Sequence, residues 1–390
     1  MKILLITEFF PTGKDLRFSG GVEARTFFIA KNLAKRNRVT VLASRTNKTP
    51  QKEKMFNFEI YRVGPLRQYH ATVGDVIKRA LFIKNAIKFA KNLDVEIVDG
   101  SNFISHYIAA KVALFKKIPA VAWYPDVWIG SWIKNSGLLG ILGEILERIN
   151  LKFPFSSYIA ISQETKKKLK KFIKSRPIVI PCGIDQFEFK TLISKFPNPT
   201  IICISRLTKY KNLKTLILAF AHLSSRLSPR LIIIGSGPQK NELLNLTKAL
   251  NLSQKVEFME NLPRKELINL IKSSHIFSLP SLVEGFGIAT IESAAAGLPY
   301  VNSNIQIQRE VTKNGKGGFL IDPEDPINFS NHFYKLMTDK NLYQKKSKES
   351  LDLAEKYQWP KIAEQTEALY RLLYTKNTQL RKNGMRSNPQ

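Results

Sequence analysis

The chain has 390 residues, of which 61 are Lys or Arg and 31 are Asp or Glu, so its formal net charge at pH 7 is +30. This length favours two domains of ordinary size over one core, and hydrophobic and charged fractions of 44% and 24% are typical of globular proteins. The excess positive charge favours an anionic partner, which could be nucleic acid, anionic lipid headgroups or a phosphorylated substrate.

The sequence also argues against several protein classes. No apolar run approaches the roughly 18 residues of a membrane span, and Met1 leads directly into an apolar strand instead of a cleavable leader. Cys182 and Cys203 are too few for a disulfide framework and lack the spacing of a metal site. We therefore expect a cytoplasmic protein without a structural metal.

The chain begins with a predicted strand–helix–strand unit. Residues 2–7 and 39–44 are predicted strands, and residues 22–36 form an amphipathic helix between them. Gly20 and Gly21 precede this helix, where backbone amides and the helix dipole favour an anion, although a plain tight turn would use the same residues. Residues 45–72 are predicted to be irregular, apart from one strand at 58–63.

Three later segments of the first half combine apolar and basic side chains. The helix predicted at 74–93 could lie on an anionic membrane or pack against the sheet as a crossover helix. Trp123, Trp128 and Trp132 suit sugar stacking, a membrane interface or a core. Ser162 is a candidate N-cap for the helix ETKKKLKKFIKSR, whose lysines form either an anion-binding face or a solvated one.

The second half alternates strands and helices again, beginning with the strand TIICIS. This alternation predicts two doubly wound α/β domains. We place the first domain at residues 1–190 and the second at 191–358. A last helix is predicted at 359–376, and the polar residues 377–390 lack periodicity and are predicted to be disordered.

The segment PSLVEGFGIATIESAAAGLP predicts a glycine loop between a strand and a helix. Glu284 would lie on the loop and Glu292 on the helix, and both would face a ligand at the carboxyl end of the strand. Gly285 and Gly287 suit a turn in which the backbone approaches a ligand closely, and Gly297 suits the helix C-terminus. Carboxylates accept hydrogen bonds from hydroxyl pairs, and loop amides bind phosphate, so the pattern predicts a polyhydroxylated, phosphorylated ligand.

A second candidate cluster lies in ISRLTKYKN, at the start of the second domain. Arg206 follows a predicted strand, and Lys211 lies five residues later, next to a helix start. Two cations held at a strand end can neutralise a diphosphate leaving group.

These motifs resemble those of the family 4 retaining glycosyltransferases. The segment 280–299 resembles the family's E-x7-E motif, and ISRLTKYKN resembles its GRL-x4-KG motif with Ser205 and Asn212 in place of the two glycines. Cys182 stands where the family usually has Asn in its domain-closing segment. The resemblance implies the GT-B fold, in which two Rossmann-like doubly wound domains face each other across a cleft that contains the active site. It also implies that the helix at 359–376 crosses back to the first domain.

The resemblance also implies the reaction. A sugar would move from a nucleotide-diphosphate sugar to an acceptor hydroxyl with retained configuration, without a metal or another cofactor, and the sequence has no D-x-D pair that would ask for one. Arg206, Lys211 and loop amides would take the leaving-group charge, Glu292 the ribose hydroxyls and Glu284 the sugar hydroxyls. The implied donor-binding residues are Gly20, Gly21, Arg206, Lys211, Glu284, Gly285, Phe286, Gly287, Ile288 and Glu292.

The acceptor side departs from the family pattern. Many members carry a His after a first-domain strand, and this chain has Tyr124, Pro125 and Asp126 there. We predict Asp126, with Glu284, to be catalytic, because aromatic neighbours would raise its pKa and it can accept a proton or hold a hydroxyl. Capping of the next turn is its alternative role. His106 lies on another segment and is predicted to be a structural or surface residue.

The basic surface favours a glycan or lipid-linked acceptor and an anionic membrane surface, with the protein peripheral on the inner face of the membrane. Two other functions share parts of the pattern. A nucleotide-sugar epimerase would use the same architecture, and a noncatalytic RNA-binding protein would use the charge. No RNA-recognition motif occurs, so no nucleic-acid partner is expected. Donor hydrolysis, an epimerised product and salt-sensitive RNA retention would separate the three.

Overall fold

The computed structural model describes residues 1–12, 16, 18, 20–47, 49–67, 75–133 and 137–386, with side chains to Arg381. The chain divides into two compact units. The first combines Met1–Lys14 and Phe18–Cys182 with Trp359–Gln390, and the second contains Gly183–Gln358. The chain therefore enters the second unit after Cys182, where the sequence analysis placed the boundary after residue 190.

The first unit is built on an eight-stranded sheet. Its order is β3-β4-β2-β1-β5-β6-β7-β8, and every neighbouring pair is parallel except β3 with β4. The strands are β1 (Lys2–Ile6), β2 (Arg38–Thr46), β3 (Lys52–Met55), β4 (Phe58–Arg67), β5 (Ile97–Gly100), β6 (Ala120–Tyr124), β7 (Ser157–Ala160) and β8 (Ile178–Val179). The central strands are mainly apolar because parallel strands between helices are buried on both faces.

Helices connect these strands. They are α1 (Gly21–Leu33), α2 (Val76–Lys91), α3 (Phe103–Lys116), α4 (Gly140–Lys152) and α5 (Gln163–Leu169). In α2, Phe82, Ala86 and Ala90 are buried in the core against the sheet, which is the crossover arrangement. Ser162 caps α5 as predicted, because its Oγ accepts a hydrogen bond from the Thr165 amide at 3.0 Å.

The prediction that residues 45–72 are irregular is wrong for much of the segment. β2 continues to Thr46, and β3 and β4 form an antiparallel hairpin. The predicted strand at 58–63 is confirmed as the first part of β4, in which Arg62 and Arg67 are both buried. Each is neutralised by a carboxylate, Arg62 by Glu53 at 2.8 Å and Arg67 by Glu8.

The last helix, α13 (Trp359–Arg386), belongs to the first unit. Trp359 stacks on Phe28 of α1 with ring centroids 5.3 Å apart, and the Tyr370 hydroxyl donates to the buried carboxylate of Asp99. The prediction of disorder from residue 377 is wrong as far as residue 386, and 387–390 lie outside the described residues. The helix continues because Arg381 donates to the carbonyl of Lys116 at 2.9 Å, near the end of α3.

The second unit is built on a six-stranded sheet in the order β11-β10-β9-β12-β13-β14, with all neighbouring pairs parallel. The strands are β9 (Thr200–Ile204), β10 (Arg230–Ile234), β11 (Val256–Met259), β12 (Ile276–Leu279), β13 (Tyr300–Ser303) and β14 (Gly318–Ile321). The helices are α6 (Leu213–Ser224), α7 (Lys240–Ala249), α8 (Arg264–Ser273), α9 (Ile288–Ala295), α10 (Gln306–Val311), α11 (Pro326–Thr338) and α12 (Lys340–Ala354). The predicted pair of doubly wound, Rossmann-like domains is confirmed.

Two further features bear on the predictions. Within the described part of the chain, no helix is both long and apolar enough to cross a membrane. Both cysteines are buried, and burial raises the pKa of the Cys203 thiol to about 12.

Candidate functional site

The strand order of the second unit reverses between β9 and β12, which lie side by side. Chain connections leave such a pair in opposite directions, which opens a crevice at the carboxyl ends of the strands where ligands bind in α/β sheets. Arg206 and Lys211 follow β9, and Glu284 follows β12. The topology therefore brings the two predicted cations and the predicted carboxylate to one edge of the sheet.

Lys211 and Glu284 form a direct ion pair at this edge. The Lys211 ammonium donates to Glu284 Oε1, which also accepts a hydrogen bond from the Ser281 hydroxyl at 2.8 Å. Both charged side chains are largely buried, so each depends on the other for compensation. Asn212, which replaces the last glycine of the family motif, has φ +53°, a left-handed conformation that Asn adopts more readily than most residues.

Tyr210 links the two cations, and sequence reasoning missed it. Arg206 is exposed and donates through Nη2 to the Tyr210 hydroxyl. The tyrosine ring centroid lies 5.7 Å from the Arg206 guanidinium carbon and 5.6 Å from the Lys211 ammonium. The Tyr210 carbonyl also accepts a hydrogen bond from the Leu282 amide at 2.8 Å, which ties the loops after β9 and β12 together. The sequence did offer a signal for Tyr210, which is an aromatic residue between the two cations Arg206 and Lys211.

The glycine loop joins β12 to α9. Gly285 is half-buried in the loop, and Ile288 is the first residue of α9. Gly287 is the N-cap with φ +84°, and a Cβ there would lie 2.6 Å from Gln308 Nε2, so this position needs glycine. The Phe286 ring is buried and packs edge-on against Tyr357 at 5.7 Å. The Phe286 side chain is therefore part of the core, and only the backbone of this residue is left to make the predicted donor contact.

A buried amide and hydroxyl cluster fixes the start of α9 against the sheet. Asn302 on β13 donates through Nδ2 to Thr290 Oγ1 and to Gln308 Oε1, each at 3.1 Å. Its Oδ1 accepts a hydrogen bond from the Leu279 amide at 2.8 Å. The end of β12 and the first turn of α9 are thus held in one network.

Glu292 lies in the middle of α9 and is held by an arginine that the sequence analysis did not identify. Arg264, at the start of α8, binds Glu292 Oε1 through Nη1 at 2.6 Å and Glu188 Oε2 through Nη2 at 2.7 Å. Burial opposes the charge of Arg264, but the two carboxylates outweigh it and raise the pKa of the guanidinium. Burial likewise raises the pKa of Glu188, and Arg264 opposes that shift.

The end of α9 matches the prediction for Gly297. This residue has φ +71°, and its amide donates to the carbonyl of Ala294 at 2.9 Å. The Leu298 amide donates to the carbonyl of Ser293 at 3.0 Å. These two bonds form a Schellman motif, which ends the short helix that carries Glu292.

Asp126 lies in the first unit, just after β6. Its Oδ1 accepts hydrogen bonds from the Lys168 ammonium and from the Val127 amide, both at 2.8 Å. Burial raises the pKa of Asp126, while Lys168 acts in the opposite direction. The expected upward shift is present, together with an ion pair that the sequence did not suggest.

His106 is fully buried on α3, and its ring nitrogen Nε2 lies 2.8 Å from the carbonyl oxygen of Trp123. The imidazole also packs against Tyr124 with ring centroids 4.5 Å apart. Burial lowers the pKa of His106 to about 4, so the ring is neutral at pH 7. This is the environment of a structural histidine.

Gly20 is the N-cap of α1 and Gly21 its first residue. Gly20 has φ −179°, an extended conformation open to any residue, so the backbone at this point does not require glycine. In the described ranges, no group of three His, Cys, Asp or Glu side chains could hold a metal ion.

Two family models match adjacent parts of the chain. The model described as Glycosyltransferase Family 4 matches residues 19–186, and the one described as Glycosyl transferases group 1 matches residues 185–351. An uncharacterised glycosyltransferase of Methanocaldococcus jannaschii is 23% identical over 95% of this chain and 98% of its own length. D-inositol 3-phosphate glycosyltransferase of Corynebacterium diphtheriae is 26% identical over 43% of this chain and 41% of its own length, less than half of either protein.

Solved structures share the fold across nearly the whole chain. Sucrose-phosphate synthase of Thermosynechococcus elongatus aligns with a TM-score of 0.80 and 18% identity, over 96% of this chain and 99% of that one. HepE of Anabaena, solved with UDP-glucose, aligns with a TM-score of 0.73 and 19% identity, over 95% and 99%. Together the two family models match residues 19–351, and the basic and acidic motifs follow each other in the family's order, so the chain belongs to the family 4 glycosyltransferases.

Proposed function

We propose that this glycosyltransferase moves a sugar from a nucleotide-diphosphate sugar to a hydroxyl of a lipid-linked or membrane-surface glycan, with retention of configuration and without a metal. The observation that carries the donor assignment is the Lys211–Glu284 pair at the β9–β12 switch point. A cation for phosphate and a carboxylate for sugar hydroxyls are held within hydrogen-bonding distance of each other there. The diphosphate and the sugar of such a donor are bonded to each other, so the cation that binds one and the carboxylate that binds the other are expected to lie side by side.

The remaining donor contacts follow from the same edge of the sheet. Arg206 is exposed and oriented by Tyr210, so it can reach a phosphate without losing a buried partner. The amides at the start of α9 supply further donors for the leaving diphosphate. Arg264 binds one oxygen of Glu292 and thereby orients the other toward the ribose hydroxyls.

The proposed transfer needs no separate general base. The acceptor oxygen forms a bond to the anomeric carbon as the bond from that carbon to the phosphate oxygen breaks. The departing phosphate oxygen receives the acceptor proton, and Arg206 and Lys211 stabilise the charge that develops on the diphosphate. Asp126 holds the acceptor hydroxyl, and Lys168, which binds its Oδ1, opposes the rise in its pKa that burial causes.

HepE, a structural relative, was solved in complex with UDP-glucose, so uridine diphosphate sugars are the first donors to test. A thermal-shift screen of nucleotide sugars is the most direct experiment, because a ligand at 100 times its dissociation constant adds about 2.7 kcal/mol of stability. The hit is then incubated with candidate acceptors in EDTA, and the anomeric configuration of the product is read by NMR.

Variants assign the donor site. Lys211→Ala should remove a charge-assisted contact worth about 1.5–3 kcal/mol of nucleotide affinity. Lys214→Ala, at an exposed position on α6, is the matched control and should leave affinity unchanged. Equal affinity in both variants contradicts the donor assignment, and an epimerised sugar nucleotide formed without acceptor contradicts the transfer.

A further inference from the structure

Helix α4 is inverted relative to an ordinary surface helix, because its aliphatic side chains point outward. Large apolar residues on its outer face and just before it keep 41–82% of their surface exposed. They are Leu138, Leu139, Ile141, Leu142, Ile145 and Ile149. The face that packs inward carries Gly140, Gly143, Glu147 and Asn150. Monomeric proteins rarely leave a contiguous apolar patch of this kind exposed without a binding function.

The packing of Trp132 fixes this orientation. A Cβ on Gly143 would lie 2.4 Å from the Trp132 ring, and one on Gly140 would lie 2.4 Å from the Trp132 carbonyl oxygen, so only glycines allow this approach. Trp132 Nε1 donates to Glu147 at 2.6 Å, and Asn150 donates to the carbonyl of Phe103 at 2.7 Å. Rotating the helix to hide its aliphatic side chains would break both hydrogen bonds. It would also bring larger residues to the places where the two glycines now allow Trp132 to approach.

A strongly basic segment is linked to this helix through the loop after β6. Residues 166–176 carry seven cations, namely Lys166, Lys167, Lys168, Lys170, Lys171, Lys174 and Arg176. Lys168 binds Asp126 at 2.8 Å, and four residues later the Gly130 amide donates to Glu144 of α4 at 2.9 Å. The loop after β6 therefore connects the basic segment to the apolar helix.

We propose that the outer face of α4, together with the basic segment 166–176, docks this protein onto an anionic lipid bilayer. Aliphatic side chains flanked by lysines are the composition of helices that lie in the membrane interface. Besides Lys168, which is paired with Asp126, this segment carries six cations that suit anionic headgroups and do not suit a second, equally basic copy of the chain. The idea that the acceptor lies at the bilayer rests on the proposed function. There Asp126 holds the acceptor hydroxyl, and Asp126 lies on the loop that joins α4 to the basic segment.

The test compares binding to vesicles with and without anionic phospholipid, using the full chain. Wild type should sediment with phosphatidylglycerol-containing vesicles, less so with rising salt, and weakly with phosphatidylcholine alone. The triple variant Ile141→Gln, Ile145→Gln and Ile149→Gln keeps the net charge and should bind at least about tenfold more weakly. Ile327→Gln, at an equally exposed isoleucine of the second unit, should bind like wild type.

Insertion can be located with a single label, because both native cysteines are buried. An environment-sensitive dye on Ile145→Cys should shift to shorter wavelength when anionic vesicles are added, whereas the same dye on Ile327→Cys should not. Wild-type binding by the triple variant, no vesicle binding at low salt, or no dye shift overturns the proposal. Concentration-dependent dimerisation that the triple variant abolishes also overturns it and assigns the face to a second copy.

Donor-induced thermal shifts separate this proposal from the proposed function. The triple variant should keep the wild-type shift with the nucleotide sugar, since α4 lies outside the donor site. Loss of vesicle binding by the triple variant, with its donor-induced shift intact, therefore supports the α4 proposal independently of the donor site. Absence of any donor-induced shift in wild type contradicts the proposed function and leaves the α4 proposal untouched.

Discussion

Replacing Arg264 with Gln tests whether the Glu188–Arg264–Glu292 cluster supports the second unit and its predicted donor site. In the native cluster one guanidinium compensates two carboxylates, and the three side chains are only 12–21% exposed. The variant leaves both carboxylates without their cation in a largely buried position. Such uncompensated charge is among the few mechanisms by which one substitution destabilises a protein severely.

The expected loss of stability can be estimated from the burial. Removing one partner of a buried ion pair costs about 3–5 kcal/mol, and the residual exposure of these side chains places this cluster near about 3 kcal/mol. For a unit of 150–250 residues, 1 kcal/mol lowers the melting temperature by about 2–4 °C, so a fall of about 6–12 °C is expected.

The loss should depend on pH. Burial raises the pKa of Glu188 in the folded protein, and Arg264 opposes the rise, so its removal raises that pKa further. A carboxyl group with a raised folded pKa destabilises the fold above that pKa and ceases to do so once protonated. The deficit of the variant relative to wild type should therefore shrink from about pH 8 to about pH 5.

Melting curves for wild type, Arg264→Gln and Arg230→Gln at both pH values provide the measurement. Arg230 pairs with Glu257 in a site where both side chains are more than a third exposed, so its loss should cost no more than about 1 kcal/mol. Equal melting temperatures for Arg264→Gln and wild type, or a deficit that does not change with pH, would refute the reasoning.

Three further outcomes are expected at the proposed catalytic groups. Glu284→Ala should lower turnover more than nucleotide affinity, and unchanged turnover would remove Glu284 from the sugar site. Asp126→Asn should keep the fold and nucleotide binding but lower transfer at least about 100-fold, because misplacing a reacting hydroxyl by about 1 Å can cost that much, and wild-type transfer would contradict its role. His106→Ala should lower the melting temperature because its ring is buried, yet change transfer per folded molecule less than about tenfold, and a larger fall would return the role to the imidazole.

The topology was predictable where local pattern decides it. Alternating apolar strands and helices can bury their faces only as layered α/β domains, and parallel strands then bring their carboxyl ends together. For this reason Lys211 and Glu284, 73 positions apart, could be assigned to one site from sequence. The special roles of Gly287 and Gly297 were also predictable, since they lie at the two ends of a predicted helix. In the structure each of them has a positive φ.

Contacts that depend on tertiary packing were not predictable. Arg264 was one of 61 basic residues, and nothing local indicated that it would bind Glu188, 76 positions earlier, and Glu292. The continuation of β4 from residue 64 to Arg67 was not predicted, because a buried arginine looks like a loop residue until its carboxylate partner is known. The helix beyond residue 376 is anchored by Arg381 to the end of α3, a contact that composition does not encode.

The placement of α13 affects how the protein can be synthesised. Its Trp359 and Tyr370 contact Phe28 and Asp99, which leave the ribosome hundreds of residues earlier. The segment Gly183–Gln358, which forms nearly all of the second unit, is complete before this helix emerges. Because domains fold as units during translation, the nascent chain should present a finished second unit while the first still lacks the helix that covers α1. Until α13 emerges, the face of α1 that packs against Trp359 stays uncovered.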